Sequence, residues 1–145
     1  MRSTIITASI AAIATLGCAA VSVADDGGAR FTTSLNGASE APGPGDPNGS
    51  GSATIRVNPG QAEVCFTISV SNIAPATAAH IHEAPAGVAG PVVVQLTAPT
   101  SGTSQGCTTV TREFAKELMR TPGDYYVNVH NAEFPAGAVR GQLGR

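Results

Sequence analysis

Three histidines carry the most definite chemistry in this chain of 145 residues. His80 and His82 stand one residue apart in A-A-H-I-H-E-A-P, His130 follows in Y-Y-V-N-V-H-N-A, and the sequence holds no other histidine. In a strand, alternate side chains share a face and two residues rise about 6.8 Å. His80 and His82 therefore point the same way and can both reach one ion about 2 Å from each nitrogen. Imidazole-only ligation suits copper or zinc over magnesium or calcium, and the affinity order favours copper. Three neutral imidazoles leave a position open for water, for an exogenous ligand, or for a carboxylate from Glu83 or Glu133. Because imidazole must lose its proton to bind, with a reference pKa near 6.5, occupancy is expected to fall below about pH 6. The plainer reading is of strand histidines that hydrogen-bond loop carbonyls.

The elements that must position these rings are legible from periodicity. Phe31, Thr33 and Leu35 alternate as one side of a strand. Asn36 to Ser52, with G-P-G-D-P-N-G-S-G inside it, reads as an exposed, mobile flap without regular structure. Ala53, Ile55 and Val57 alternate, Asn58-Pro59-Gly60 offers a turn, and Val64, Phe66, Ile68 and Val70 alternate again, which predicts a hairpin over Ser52 to Ser71. Short strands follow at Thr77 to His82, Gly90 to Thr97 and Gly106 to Val110. Thr111 to Met119 is the helical candidate, with Phe114 and Leu118 four apart and Pro122-Gly123 to end it. Asp124 to Asn131 and Ala138 to Leu143 close the chain as strands. Seven or eight short strands with turn-rich joins and one short helix predict an all-β protein, an antiparallel Greek-key-like sandwich.

A weak internal echo runs through the histidine segments. Ile81-His82 is followed by Pro85-Ala86-Gly87 and then Gln95-Leu96, and Val129-His130 by Pro135-Ala136-Gly137 and then Gln142-Leu143. It places His82 and His130 at equivalent strand ends.

Residues 1–24 read as a secretory leader: Arg2, an apolar stretch from Ile5 to Val21, and Ser22-Val23-Ala24 as a cleavage site before Asp25-Asp26. The stretch is too short and too interrupted for a membrane span. Cys18 leaves with the leader; lipidation at Cys18 is the competing reading. A linker over 25–30 and one domain over 31–145 account for the rest. Eight basic and ten acidic residues, without a Lys/Arg cluster, make nucleic acid an unsuitable partner and leave no basic patch for an anionic membrane. Cys65 and Cys107 remain after processing, an even count in an exported chain that is read as one disulfide.

L-N-G-A-S-E-A-P, A-H-I-H-E-A-P-A-G-V-A-G-P-V-V-V-Q-L and Y-Y-V-N-V-H-N-A-E-F-P-A-G-A-V-R-G-Q-L resemble the CHRD domain, over about Phe31 to Leu143. The resemblance implies an exported single β-sandwich domain and little settled chemistry. A weaker similarity links H-I-H-E, the later V-H and the approach to Arg140 with copper-zinc superoxide dismutases. It implies a copper site at His80, His82 and His130 and a candidate catalytic role for Arg140, guiding an anionic substrate. A bridging histidine and a zinc site have no counterpart here. Arg140 can equally pair with Glu83 or Glu133. These readings predict an exported protein acting in extracytoplasmic copper binding. The alternatives are a superoxide-dismutase-like redox enzyme and a metal-free secreted adhesion or interaction module.

Overall fold

The computed structural model describes residues 28–144; the leader read over residues 1–24, Cys18 with it, lies outside them. Eight strands form one antiparallel sheet: β1 (Ala29–Asn36), β2 (Ser50–Asn58), β3 (Glu63–Ser71), β4 (Ala76–Glu83), β5 (Val92–Leu96), β6 (Thr103–Thr109), β7 (Tyr125–Asn131) and β8 (Val139–Gln142). One helix, α1 (Arg112–Arg120), joins β6 to β7. The order across the sheet is β5-β4-β7-β8-β1-β2-β3-β6, so the chain crosses between the two halves after β3, after β5 and again through α1. The sheet curls until its edges approach, with Thr108 Oγ1 donating to Gln95 O at 3.5 Å. The all-β expectation with one short helix holds, built as a single antiparallel sheet that curls towards a barrel.

Alternation decides which side chains fill the interior. Ala53, Ile55 and Val57 on β2, and Val64, Phe66 and Ile68 on β3, pack inward with Ile81, Val127 and Val129. The intervening residues face outward, and on β4 these include His80 and His82. Thr111 caps α1 by accepting from Phe114 N at 3.1 Å, and the helix buries Ala115 and Leu118 in the same core. Among the described residues no helix is long and apolar enough to cross a membrane.

Two expectations need correction. The strand β1 begins at Ala29, inside the segment read as linker, because Ala29 and Arg30 already pair with Val57 and Arg56. The stretch after β1 is not a structureless flap. It opens with a 3₁₀ turn over Gly37–Ser39, capped by Asn36 Oδ1 accepting from Ser39 N, and it buries Glu40 and Asp46. Gly37 lets the loop close on itself, since a Cβ there would lie 1.9 Å from Asp46 O. Asp46 N in turn donates to Ala138 O at 2.8 Å, which fixes the loop against the start of β8.

Cys65 and Cys107 are bonded across directly paired positions of β3 and β6. A bridge at a sequence separation of 42 restricts the unfolded chain by about 4 kcal/mol on the loop-entropy account. Replacing both cysteines by serine is expected to lower the urea-unfolding free energy by about that amount. A loss below about 1 kcal/mol would show that strain in the native strands offsets the gain.

Candidate metal centre

The three imidazoles converge on the outer face of the β4–β7 pair. Register sets His80 opposite Asn128, His82 opposite Tyr126 and Ala78 opposite His130, so His130 is the diagonal neighbour of His80. One ligand nitrogen from each ring falls within 4.8 Å of the other two. His80 Nδ1 and His130 Nε2 are 3.0 Å apart. Bonds of about 2.0 Å to a shared ion set nitrogens about 2.8 Å apart at a right angle and about 3.3 Å at the tetrahedral angle, and the observed separation lies between.

Two backbone carbonyls settle which nitrogen of each ring is free. His82 Nδ1 donates to Gly90 O at 2.8 Å, and His130 Nδ1 donates to Pro135 O at 3.0 Å. In a neutral ring the other nitrogen then carries the lone pair. His130 Nε2 accepts from His80 Nδ1 in the metal-free state, whereas His82 Nε2 is buried without a partner. A buried nitrogen held as an acceptor and left unfilled is costly unless something completes it. The donor set and this orphaned atom fit a bound cation. The echo between the histidine segments has a structural counterpart here, since each ring leans on a carbonyl of the loop that follows its strand.

Electrostatics keep the site in its ligating form. Burial, then the neighbouring His130 and His82, push His80 down to about 4. His130 is also lowered, first by burial, against the Pro135 carbonyl that favours its proton. Both rings are therefore neutral at neutral pH, each with one N–H, so metal uptake displaces no imidazolium proton. His80 has only to move its proton from Nδ1 to Nε2 to offer the nitrogen that faces His130. For groups depressed in this way the folded state binds fewer protons than the unfolded state as pH falls below 6.5. Their contribution to stability is present above that value and is lost as the pH falls towards the folded-state values.

A shell of side chains from β7 and β8 positions the rings, and it was only partly legible in the sequence. Tyr126 stacks on His82 with centroids 4.8 Å apart and planes 8° from parallel. Arg140 Cζ lies 3.4 Å from the Tyr126 ring centroid, a cation–π contact. Both neighbours at such distances require opposite faces of the tyrosine. Arg140 is 1% exposed and donates to Val88 O at 2.8 Å, Pro85 O at 3.0 Å and Gln142 Oε1 at 3.1 Å. Gln142 Nε2 reaches Ala84 O at 2.7 Å, and Tyr126 Oη accepts from Gly90 N at 3.1 Å. Arg140, Gln142 and Tyr126 thus hold the β4–β5 loop whose Gly90 carbonyl orients His82. Tyr126, Gly90 and Gln142 show in the sequence only within the motifs that resemble the CHRD domain, Gln142 also in the echo with Gln95, and none of them is marked there as a support of the histidines.

The candidate acids lie elsewhere. Glu83 and Glu133 are exposed and stand outside the histidine cluster. The carboxylate that bears on Arg140 is Glu40, from the loop after β1. Burial lifts Glu40 to about 7 despite Arg140 and a hydrogen bond with Asn128, and its Oε1 has no partner. Gly137 provides the room, for a Cβ there would lie 2.4 Å from the carboxyl carbon. A raised carboxyl contributes stability that is complete below about pH 4.5 and is lost as pH rises through about 7. Glu40→Gln is expected to abolish this falling component, so that the variant exceeds the wild type in urea midpoint at pH 8 but not at pH 4.5. A wild-type advantage at pH 8 would mean that the ionised carboxylate is held by Arg140.

Comparison with known families matches residues 31–143 to the CHRD domain. The chain belongs to the CHRD family. No curated protein and no solved structure matches it. The CHRD match spans every strand but the first two residues of β1, and it includes all three histidines, Tyr126, Arg140 and both bonded cysteines.

Proposed function

We propose that this CHRD protein is exported and binds copper through His80, His82 and His130, acting in extracytoplasmic copper binding. The observation that carries the reading is the buried, unpartnered Nε2 of His82 beside two further imidazoles whose nitrogens lie within 4.8 Å. The leader-like residues 1–24 and a disulfide support export. Imidazole donors without a nearby acid favour copper, with zinc next. When bound, the ion supplies an electrophilic centre with an open position.

Around that ion the chain's own residues have plain tasks. The Gly90 and Pro135 carbonyls hold the proton on Nδ1 of His82 and His130, so that Nε2 faces the site. Arg140 is a positioning residue in this reading: its guanidinium is committed to Pro85, Val88, Gln142 and the Tyr126 face. That commitment weighs against a role in guiding an anionic substrate, and with it against fast superoxide chemistry.

Protein purified from the exported fraction, stripped of metal and titrated with copper against a competing chelator, tests the reading. The wild type is expected to take up one equivalent. His80→Ala is expected to bind more than about 100-fold more weakly, beyond what loss of an outer hydrogen bond costs. Equal uptake by the two proteins would leave the secreted interaction module as the better account.

A further inference from the structure

The outer face of β1, β2, β3 and β6 carries a second cluster of reactive groups, remote in the sheet order from the histidines. Register places Arg30 opposite Arg56, Arg56 opposite Cys65, and Cys65 opposite Cys107, so one row across four strands runs Arg, Arg, Cys, Cys. Directly opposed side chains in such a row begin about 5 Å apart. Both arginines are exposed, as is Cys107 on the edge strand, and Cys65 is half-buried. Among the described residues neither arginine forms a salt bridge. Like charges set directly across a strand pair are destabilising. Packing gives no reason for Arg30 and Arg56 to face each other, whereas a bound anion does.

A cavity of about 420 Å³ opens beside the row, walled by Arg30, Arg56, Asn58, Gln61, Glu63 and Cys65. Cys65 is therefore reached from the side where the arginines stand. Glu63, two residues along β3 from that row and so on the same face, sets its carboxylate Oε1 3.0 Å from Cys65 Sγ.

The geometry points to a thiol–disulfide exchange site for an anionic thiol, whose carboxylates are held by Arg30 and Arg56 while its sulfur attacks Cys65. Displacement at sulfur requires the nucleophile to enter opposite the leaving sulfur. In the row, Cys107 lies on one side of Cys65, and Arg56 with the cavity lies on the other. The incoming thiolate forms a bond to Cys65 Sγ, the Cys65–Cys107 bond breaks, and the electron pair leaves on Cys107, whose exposed thiolate takes a proton from water. A second thiolate attacks the incoming sulfur of this mixed disulfide and releases Cys65 as a thiolate, which is then protonated. In sum the protein gains two electrons and two protons, and two thiols are oxidised to one disulfide. Glu63 is placed to accept the S–H of Cys65 once the bridge is open. The site uses none of the histidines and stands whether or not they bind copper.

Glutathione as the anionic thiol and cysteamine as the cationic one separate this proposal from simple solvent access to a surface bridge. The rate at which each opens the disulfide of the intact, metal-free chain is measured and divided by its rate with an uncharged small disulfide. At low salt the normalised rate for glutathione is expected to exceed that for cysteamine by about tenfold. The preference is expected to collapse in Arg30→Gln/Arg56→Gln and at about 0.5 M salt, where the Debye length is only about 4 Å. Mass spectrometry of the trapped intermediate is expected to find glutathione on Cys65. Both arginines are exposed, so an unchanged urea midpoint of the variant before reduction verifies its fold. The Cys107→Ser chain gives a second measurement, since its unbridged Cys65 is expected to take glutathione from oxidised glutathione faster with the arginines than without them. No charge preference, a preference that survives loss of both arginines, an adduct on Cys107, or a bridge that opens only on unfolding would each overturn the proposal.

Discussion

Arg140→Met is expected to lower the unfolding free energy by about 3 kcal/mol and to weaken copper binding by about 10–100-fold, although residue 140 touches none of the three histidines. The side chain is 1% exposed, and its removal strands Pro85 O, Val88 O and Gln142 Oε1 without their cationic donor. Hydrogen bonds to a charged group contribute about 1.5–3 kcal/mol each, and the cation–π contact with Tyr126 about 2 kcal/mol more when desolvated. Against this stands the relief of no longer burying a guanidinium, which is why the net loss is set near the value for one or two such contacts. Arg140→Lys is expected to recover little, because an ammonium cannot span three acceptors and lie flat on a ring at once. Urea denaturation and chelator-competition titration measure the two effects. A fall below about 1 kcal/mol with unchanged copper affinity would show that the β4–β5 loop holds itself, and would return Arg140 to a direct role at the site.

That network marks the boundary between what the sequence discloses and what only the folded chain does. Alternation at Val64, Phe66, Ile68 and Val70 is a local property, since burial on one face of a strand follows from a period of two, and the strand is where that period places it. The same period puts His80 and His82 on one side, and pairing with β7 brings His130 beside them. Arg140 is different. Two of its three hydrogen-bond acceptors lie more than fifty positions away as backbone carbonyls, and a carbonyl has no residue type to recognise. Expecting Glu83 or Glu133 beside it followed charge and proximity in sequence, whereas the bend of the loop after β1 delivers Glu40 instead. The same loop shows how composition misleads. Its glycines and prolines suggest freedom, yet Gly37 is where it packs most tightly, because only a residue without Cβ lets Asp46 come so close. Glycine permits close approach as well as mobility, and the residue alone does not say which.

His82→Phe separates the cost of holding the site ready from the gain of filling it. In the metal-free protein the substitution is expected to change stability by less than about 1 kcal/mol, while loss of copper-induced stabilisation is expected to be complete. Phenylalanine preserves the stack on Tyr126 and removes the buried acceptor Nε2, whose lack of a partner costs about 1–3 kcal/mol. It also removes the donor to Gly90 O, a loss of about 1 kcal/mol or more, and the two changes oppose each other. With metal the balance shifts: at a free concentration 100 times the dissociation constant, an ion bound only by the folded state adds about 2.7 kcal/mol. The wild type is therefore expected to rise in melting temperature with copper, and His82→Phe to stay where it is. Should both proteins rise equally, the ion is held elsewhere and His82 is a structural ring. Should the metal-free variant fall by 3 kcal/mol or more, the hydrogen bond to Gly90 outweighs the orphaned nitrogen, and the site is built to steady the loop before it is built to bind.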